Sequence, residues 1–201
     1  MLSSAVLKEI EVAPDSEMPV DLLNQSVAIG IFPGVKKGGY ILGGQYGRGV
    51  IIKKNDMNKW SAPALFKIHG GSIGFQIGIQ EVDLILFFVD EASFNDILES
   101  GYNVGVNISA SAGPVGRDLS KDPKENIIAY SRSKGLFAGA IISGVKLSFD
   151  FEASQDYYGD AFNAKMILIN NEVEKMPETA IKLVNIAQNL TKGTYTYDNR
   201  N

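Results

Sequence analysis

Basic side chains are the residues of this chain whose types and spacing most readily suggest a function. They fall at predicted turns and strand ends of an otherwise acidic protein: Lys36, Lys37, Arg48, Lys53, Lys54, Arg117, Arg132 and Lys134. Turns that gather on one rim would bring these cations together, and each cation near a charged membrane adds on the order of 1 kcal/mol to binding. The alternative is ordinary solvation, because lysine is mostly exposed in any protein. The pattern predicts a surface for anionic head groups, with solvated turns as the alternative.

Few residues offer catalytic chemistry. His69 is the single histidine and cysteine is absent, which excludes histidine clusters for metals and most nucleophile–histidine pairs. The glycine-rich run 43–49 lacks the GxxxxGK[ST] order of a phosphate loop, and strand pattern continues on both sides of it. Asp83, Asp90 and Glu91 flank an apolar strand, where solvation and helix capping explain them. We predict no catalytic residue, no metal site and no cofactor; an enzyme is a minor alternative.

Composition places the chain among ordinary globular proteins. It has 201 residues, of which 45% are hydrophobic and 21% charged, enough for one domain with a sizeable core. Its apolar runs are far shorter than the roughly 20 residues that a membrane-spanning helix needs. A net charge of -4 and a pI near 5.1 argue against a nucleic-acid partner. The absence of cysteine fits a reducing cytoplasm and a bridge-free periplasmic protein equally.

A sheet must position the basic residues. Residues 72–80 and 102–111 alternate between large apolar side chains and small or polar ones, the period of a half-buried strand, and 84–89 are apolar throughout. We predict an α+β fold with a strongly curved, mostly antiparallel, glycine-rich sheet that is partly closed like a barrel. Strands are expected at 28–32, ended by Pro33 and Gly34, and at 127–130 and 136–149. Residues 40–53 are expected to form one strand with a bend at glycines 43–49, or two strands joined there.

Helical periodicity appears at both ends of the chain and once between strands. Short N-terminal helices are predicted near residues 3–10 and from Pro19, one helix near 91–99 and helices from 152 onward, packed on the sheet. In the first helix Val6, Leu7 and Ile10 form one apolar edge. An amphipathic edge of this kind can insert shallowly into a membrane surface, and we predict that role for it.

Glycine recurs on the face of the sheet that carries no aliphatic side chains. The positions are Gly43, Gly74, Gly78 and Gly105. Glycine in a strand marks a bulge, a bend or the close approach of a backbone or ligand. The favoured interpretation is tight curling of the sheet or close packing of a helix. The alternative is a shallow groove for an acyl chain or a head group.

Several blocks of the sequence, in a fixed order, resemble the SYLF domain family. The blocks are GGQYGRGV (43–50), WSAPA (60–64), GGSIGFQIGIQEVDLILFF (70–88), SAGPVGR (111–117) and AYSRSKGLFAG (129–139). The resemblance covers residues 5–159. It implies binding of acidic phospholipids, phosphoinositides or phosphatidic acid, by a domain without known catalysis. The family also includes the actin-regulator domain of yeast proteins that bind the WASP homologue.

In length and layout the chain resembles the stand-alone bacterial members, many of which are exported or lipid-anchored. This likeness implies a periplasmic or envelope-associated protein whose signal segment is absent from this chain, with the cytoplasm as the alternative. Eukaryotic relatives carry a basic, amphipathic N-terminal segment linked to actin and membrane contacts. Here Lys8 is the single cation in residues 1–24, so we do not expect actin binding.

Two functional hypotheses follow. The first is non-enzymatic peripheral binding to an anionic phospholipid surface. The second is a structural or protein-interaction domain of the cell envelope with no specific lipid ligand. We predict a single domain over residues 1–201, with a core at about 5–159, a C-terminal helical extension at 160–190 and a loose tail at 191–201. The oligomeric state is left open.

Overall fold

The structure is a computed structural model that describes residues 2–12, 17–39, 43–72, 78–100, 105–113, 126–133 and 136–191. Its helices are α1 (Leu2–Val12), α2 (Glu17–Gln25), α3 (Glu91–Ser100), α4 (Phe151–Tyr158), α5 (Ala164–Leu168) and α6 (Glu178–Leu190). Its strands are β1 (Ala28–Gly39), β2 (Gly43–Lys53), β3 (Ala64–Ser72), β4 (Gly78–Phe88), β5 (Val106–Ala112), β6 (Ile127–Ser133), β7 (Leu136–Gly139) and β8 (Ile142–Phe149).

The strands form one sheet that closes on itself. Their order is β4-β1-β2-β3-β8-β5-β6-β7, and an additional β4–β6 pairing completes a seven-strand barrel. Strand β6 meets β4 along one edge, whereas its other edge is shared by β5 at Ile128 and Ala129 and by β7 from Tyr130 onward. The pairings are antiparallel except the short β5–β6 contact. The predicted α+β fold with a curved, mostly antiparallel sheet is confirmed.

Strand β1 does not end at Pro33 and Gly34 as predicted. Its register against β4 shifts between Phe32 and Val35, so the Pro-Gly pair forms a bulge inside a longer strand. Proline is tolerated there because a bulge needs no ladder hydrogen bond from it, and Gly34 supplies a φ of 61°. The backbone N–H of Gly34 donates to the Asp83 carboxylate at 2.9 Å. As a result, Lys36 and Lys37 lie in a strand and not in a loop.

Other strand boundaries also differ from the expectation. Residues 43–53 form one continuous strand without the predicted bend, because each glycine of β2 from Gly43 to Gly49 keeps its register with β3. Gly78–Phe88 is a single strand, and Ser72 belongs to β3; residues 73–77 of the predicted alternating strand lie outside the described residues. Residues 136–149 form two strands, β7 and β8, separated at Ala140 and Ile141.

The core occupies the barrel and the layer beneath the helices. Strand β4 is buried on both faces from Leu84 to Phe88, as its uninterrupted apolar sequence predicted. Helix α1 packs on β1 and on α6, and α4 and α5 pack on β3. Helix α3 begins after Asp90, whose carboxylate accepts a hydrogen bond from Ser93 N at 2.7 Å. The predicted cap and the packing of the C-terminal helices on the sheet are confirmed.

Candidate anionic-surface site

Strand register brings basic and polar side chains into one line across the outside of the barrel. Residues that pair directly across neighbouring strands project to the same face. We call this line the outer row; it consists of Lys36 on β1, Tyr46 on β2, His69 on β3, Lys146 on β8 and Asn107 on β5, each paired with the next. Lys36, Tyr46, His69 and Asn107 are exposed and Lys146 is half-buried. The row therefore crosses five adjacent strands.

A second line of charge runs beside the outer row. Arg48 on β2 pairs with Lys67 on β3, and both contact the buried carboxylate of Asp150, at 3.3 Å from Arg48 Nε and 3.6 Å from Lys67 Nζ. Asp150 also caps α4 by accepting from Ala153 N. The charge of Asp150 raises the pKa of the Arg48 guanidinium above its ordinary value. The single carboxylate of Asp150 thus orients both Arg48 and Lys67, and the three groups together keep a net positive charge.

Acidic neighbours of these rows are few within the described residues. Glu81 on β4 is the register partner of Lys36 and is exposed, so it offsets part of the charge at the β1 end. Farther along β2 and β3, Val50 and Leu65 project to the same outer face as Arg48 and Lys67. There they line a small cavity of about 160 Å³ together with side chains of α1, α4 and α6. The helices therefore cover one half of this outer face, and the cationic half stays uncovered by them.

Lys53 and Lys54 are not part of this surface, which corrects the prediction. Lys54 is 9% exposed and its Nζ donates to the carbonyl oxygens of Leu23 at 2.7 Å and Asn24 at 2.8 Å, at the C-terminal end of α2. Burial lowers the pKa of the Lys54 ammonium to about 8. Lys53 Nζ is also buried and forms an ion pair with Glu91 of α3 at 2.8 Å. Both lysines attach helices to the sheet.

Arg132 is likewise occupied inside the fold. Its guanidinium contacts the Asp83 carboxylate at 2.9 Å and forms a second ion pair with Glu9 of α1. It also lies 5.9 Å from the centre of the Phe137 ring. Arg132 thus joins β6 to β4 and α1, and it does not stand free on a turn as predicted. The other two cations of the predicted set, Arg117 and Lys134, lie outside the described residues.

The predicted membrane-insertion edge is in the core. Val6 is 4% exposed and Leu7 is 0% exposed, because α1 packs that edge against β1 and α6. The side chain of Ile10 lies outside those that the structure describes. Insertion of this edge would require α1 to leave the barrel, so the folded chain does not present it. Amphipathic periodicity has the same appearance whether the partner is a membrane or the protein itself.

Lys37 belongs to the inner face, opposite to its neighbour Lys36. Its register partner is Gln45, which is buried, and its other partner is Gln80 on β4. Burial lowers the pKa of the Lys37 ammonium below its ordinary value. Because successive residues of a strand face opposite sides, the two adjacent lysines cannot act on one surface. Of the predicted set, Lys36 and Arg48 are exposed on the outer face, and Arg132 lies on the same face but is covered by α1 and paired with Asp83 and Glu9.

Gly105, one of the predicted glycines, lies close to β8. Its φ is 75°, and a Cβ there would lie 2.9 Å from the carbonyl oxygen of Leu147 on β8. Gly43 and Gly78 are strand positions, and Gly74 lies outside the described residues. The tightest approaches occur at glycines that the prediction omitted, including Gly49 against the Ile31 carbonyl and Gly113 against the Tyr130 ring. An alternating sequence pattern does not show at which glycine a neighbouring strand approaches most closely.

Sequence reasoning missed three basic residues of the outer face: Lys67, His69 and Lys146. Lys67 and His69 alternate with buried Phe66 and Ile68, and this period-two pattern could have identified their shared face. Lys146 could be placed beside His69 only through the β3–β8 register. His69, interpreted from sequence as a residue of a turn or a strand end, lies within β3 in the middle of the outer row.

The described residues contain no group of histidine, aspartate and glutamate side chains that could hold a metal ion. Within the same ranges, none of the helices combines the length and apolar character required to cross a bilayer. What the outer face offers chemically is attraction of anions: ammonium and guanidinium donors for phosphate oxygens, with the Tyr46 ring and the His69 imidazole beside them.

Comparison with known proteins identifies the family. Residues 69–190 match the family model described as "Ysc84: Las17-binding protein actin regulator". Saccharomyces cerevisiae "LAS seventeen-binding protein 3" is 32% identical over 175 residues, 84% of this chain and 38% of the relative. "Protein YSC84" of the same yeast is 32% identical over 181 residues, 87% of this chain and 38% of the relative. Human "SH3 domain-containing YSC84-like protein 1" is 28% identical over 163 residues, which are 79% of this chain and 47% of the relative.

The fold is an α+β barrel domain with basic residues on one outer face. The chain belongs to the Ysc84 family, also called the SYLF family, which confirms the resemblance stated from sequence. It spans less than half the length of these yeast and human relatives. The matched region includes α4, α5 and α6, whereas the proposed division into a core and a C-terminal extension stays a prediction.

Proposed function

We propose that this chain binds anionic phospholipid surfaces peripherally and without catalysis, through the outer row together with Arg48 and Lys67. The observation that supports the proposal most directly is the register that aligns Lys36, His69 and Lys146 on an uncovered face of an acidic protein. Cations spread over several strands suit a surface of many phosphates better than a single small ligand. The family described as an actin regulator is consistent with a binding role.

The head-group contact is electrostatic in this proposal. Lys36 and Lys146 supply ammonium groups, Arg48 and Lys67 supply charge that Asp150 only partly neutralises, and Tyr46 supplies an amphipathic ring at the water boundary. Exposed charges of this kind are screened by salt, so binding weakens as ionic strength rises. The N-terminal edge has no part in it while α1 is packed.

Vesicle flotation tests the proposal. The full chain is mixed with neutral phosphatidylcholine vesicles or with vesicles that also contain phosphatidic acid, at low and at high salt. We expect binding to the acidic vesicles at low salt, reduced at least about thirtyfold in the Lys36→Glu, Lys146→Glu double variant, since the loss of each cation removes roughly 1 kcal/mol and each new carboxylate adds repulsion. The matched control is Lys175→Glu with Lys182→Glu, two exposed lysines of the C-terminal region. Thermal unfolding of both variants verifies that they fold.

Equal loss in the control variant would show that net charge and not the outer row determines binding, and would contradict the proposal. Absence of binding to both kinds of vesicle would also contradict it and would favour the second candidate, a protein-interaction domain. That candidate is supported by the yeast relative whose name states binding to another protein and by two exposed apolar side chains: Leu136 of β7 is 69% exposed, and Ile141, which follows β7 in the chain, is 79% exposed. In the described residues β7 pairs only with β6, so an apolar edge stays available.

The family description names an actin regulator, and the expectation that this chain lacks actin binding stays a prediction. The relatives reported above are eukaryotic, and a bacterial, periplasmic or envelope-associated origin likewise stays a prediction. Cell fractionation with an antibody against the chain would test the location directly.

A further inference from the structure

The cavity of about 160 Å³ lies where the N-terminal ends of two helices meet the outer face of the barrel, and we call it the α1–α6 cavity. The first turn of α1 and the first turn of α6 both contribute to its wall. Its lining is Ser3, Ser4, Val50, Pro63, Leu65, Tyr157, Thr179, Ala180 and Leu183, all of them described residues. The volume has room for about five water molecules or for one organic molecule of about six non-hydrogen atoms.

Two serine hydroxyl groups line this cavity without a partner. Ser3 is 9% exposed and Ser4 is 5% exposed, and no hydrogen bond joins either hydroxyl to another described residue. A serine within a helix can donate to the carbonyl group four residues earlier. Helix α1 begins at Leu2, so it has no such carbonyl for Ser3 or Ser4. Both hydroxyls are therefore buried donors that a ligand in the cavity can use.

The α1–α6 cavity has a positive potential although none of its described lining residues is charged. Each helix N-terminus is equivalent to about +0.5 elementary charge, so two of them supply about one positive charge. Pro177, at the N-cap of α6, makes no side-chain hydrogen bond to the first N–H groups of that helix. Glu178 offsets part of this charge, but it is exposed and lines a groove beside Lys8. The cavity therefore favours a group with a single negative charge.

The rest of the wall is apolar or already hydrogen-bonded. The hydroxyl groups of Tyr157 and Thr179 bond to each other. Burial raises the pKa of the Tyr157 hydroxyl, which keeps it neutral. Val50, Leu65 and Leu183 supply aliphatic surface. A ligand that matches this wall has one acceptor group and one compact apolar part.

We propose that the α1–α6 cavity binds a small monocarboxylate with a short or branched alkyl group. The carboxylate oxygens accept hydrogen bonds from the hydroxyls of Ser3 and Ser4 at the N-terminal end of α1, where an anion is favoured. The alkyl group packs on Val50, Leu65 and Leu183 and removes their surface from water. Isobutyrate, with six non-hydrogen atoms, has the required size and is the probe chosen below.

Other classes of ligand fit this wall less well. A cation is repelled by both helix N-termini. A polyol brings several donors, whereas the two free groups of the wall are themselves donors. Inorganic phosphate leaves the aliphatic surface without a partner, and a phospholipid is far larger than the cavity. The proposal therefore goes beyond the proposed function and does not rest on it.

Nuclear magnetic resonance titration of the full, isotope-labelled chain tests the site. The probes are isobutyrate, its neutral isostere isobutyramide, and inorganic phosphate, all at equal ionic strength. We expect saturable shifts of the Ser3, Ser4 and Thr179 amides and of the Leu65 and Leu183 methyl groups with isobutyrate. Binding of the other two should be at least about tenfold weaker, since each lacks the charge or the alkyl group. Equal binding of isobutyramide, or no saturable shift with isobutyrate, would overturn the proposal.

Substitutions separate binding from folding. The Ser3→Ala, Ser4→Ala double variant loses two buried hydroxyls that have no partner, so its melting temperature should be unchanged or higher. Its affinity for isobutyrate should fall about tenfold or more. The matched control is Ser109→Ala with Ser143→Ala, two exposed serines on strands, which should keep the affinity within about twofold. Unchanged affinity in the Ser3→Ala, Ser4→Ala variant would refute the site.

A cavity-filling variant gives a second measurement. Ala180→Val adds two methyl groups at a position of the wall that is 1% exposed. The added volume should exclude isobutyrate and lower its affinity about tenfold or more. Wild-type affinity in a folded Ala180→Val chain would place the ligand elsewhere and contradict the proposal. If Ala180→Val does not fold, the serine variant decides.

Hydrogen exchange tests whether the ligand lies between α1 and α6. A ligand that binds only while α1 is docked makes opening of α1 rarer, by about a hundredfold at a concentration of 100 times Kd. We therefore expect the Leu7 amide of α1 to exchange about a hundredfold more slowly with isobutyrate, while the Phe137 amide of β7 is unaffected. Unchanged exchange of Leu7 under saturation would contradict the assignment to this cavity.

The two proposals fail separately. The Ser3→Ala, Ser4→Ala variant should float with acidic vesicles as the wild type does, because neither serine belongs to the outer row. The Lys36→Glu, Lys146→Glu variant should bind isobutyrate with wild-type affinity. Loss of isobutyrate binding in that variant would move the carboxylate site to the outer row and overturn the present inference, whereas absence of flotation in the wild type would leave it intact.

Discussion

Single glycines decide how closely the strands of this barrel approach one another. At Gly49 a Cβ would lie 2.2 Å from the Ile31 carbonyl oxygen and 2.6 Å from the Phe32 ring, distances that no side chain tolerates. Gly44, on the same strand, is exposed and its Cβ would meet nothing closer than the Gly70 carbonyl at 3.9 Å. The two glycines look alike in the sequence, yet only Gly49 is required by its surroundings.

We expect Gly49→Ala to lower the free energy of unfolding by about 1–3 kcal/mol, the usual cost of forcing extra volume into a packed site. The matched control Gly44→Ala should change it by no more than about 0.5 kcal/mol, as an exposed substitution away from such contacts. Urea unfolding followed by circular dichroism measures both. A Gly49→Ala chain as stable as the control would show that β1 and β2 are less tightly apposed than the structure has them.

Basic residues at predicted turns can either form a binding surface or hold elements of the fold together. Lys54 and Arg132 were predicted as lipid contacts, but Lys54 holds the last carbonyls of α2 and Arg132 holds Asp83 and Glu9. A cation near the C-terminal end of a helix is favoured by the exposed carbonyl groups there. These side chains therefore stabilise the N-terminal helices against the sheet, while Lys36, Lys67 and Lys146 stay on the surface.

At the scale of elements, α1 is a part of the core. Its apolar edge packs between β1 and α6, and Glu9 of the same helix pairs with Arg132. The partner α6 is itself tied to the loop after β2, since Trp60 Nε1 donates to Thr191 at the C-terminal end of α6 at 3.2 Å. The two ends of the described chain thus support each other.

Replacement of Leu7 with alanine should lower the free energy of unfolding by about 2–5 kcal/mol, because it leaves a cavity in a fully buried position. Leu2→Ala, at a leucine of the same helix that is 72% exposed, should stay within about 0.5 kcal/mol. Chemical denaturation of the two variants gives the comparison. Similar stability of both variants would mean that α1 is not docked in solution, and the insertion edge would again be available to a membrane.

At the scale of the whole molecule, closure of the sheet gives the barrel strands neighbours on both sides and leaves β7 as an edge strand. Strands β1 and β4 each have neighbours on both sides, whereas β7 lies outside the seven-strand barrel and pairs only with β6 among the described strands. Closure removes the exposed edges that promote aggregation in open sheets. The remaining edge at β7 is short, four residues, which limits its capacity to recruit another strand.

Hydrogen exchange should report this division. Amides of Ile31 and Leu86, bonded within the central strands, should exchange only through global unfolding, whereas those of β7 should exchange through local opening at much lower cost in free energy. Native-state exchange at low denaturant, monitored residue by residue, measures the difference. Equal protection of β7 and β1 would indicate that a further element or partner covers the β7 edge.

Several features of the fold followed from local patterns. The continuous apolar run 84–88 predicted a strand buried on both faces, and Asp90 ahead of Phe94, Ile97 and Leu98 predicted α3 with its cap. Boundaries were predicted less well where proline and glycine occur inside strands. Pro33 and Gly34 commonly end a strand, but here β2 and β4 on either side hold β1 extended across the bulge.

The site could be predicted only in part for the same reason. Lys36 and Arg48 were predicted to be surface cations and are, yet Lys37 faces inward and Lys53 and Lys54 are buried. Which cations share a surface depends on strand register, and register is a relation between segments distant in the chain. Lys146 joins His69 only because β8 pairs with β3, about 75 residues apart along the chain.

By itself, the sequence determined the class of fold, the family, the excess of acidic charge and the absence of any histidine or cysteine cluster, because these depend on composition, periodicity and short motifs. The tertiary structure decided that the sheet closes, that the apolar edge of α1 is buried, and that one face of the barrel collects Lys36, His69 and Lys146 while Lys37 and Gln45 turn inward. A local pattern specifies which residues of one strand share a face, but only the pairing of strands specifies which residues of other strands lie beside them.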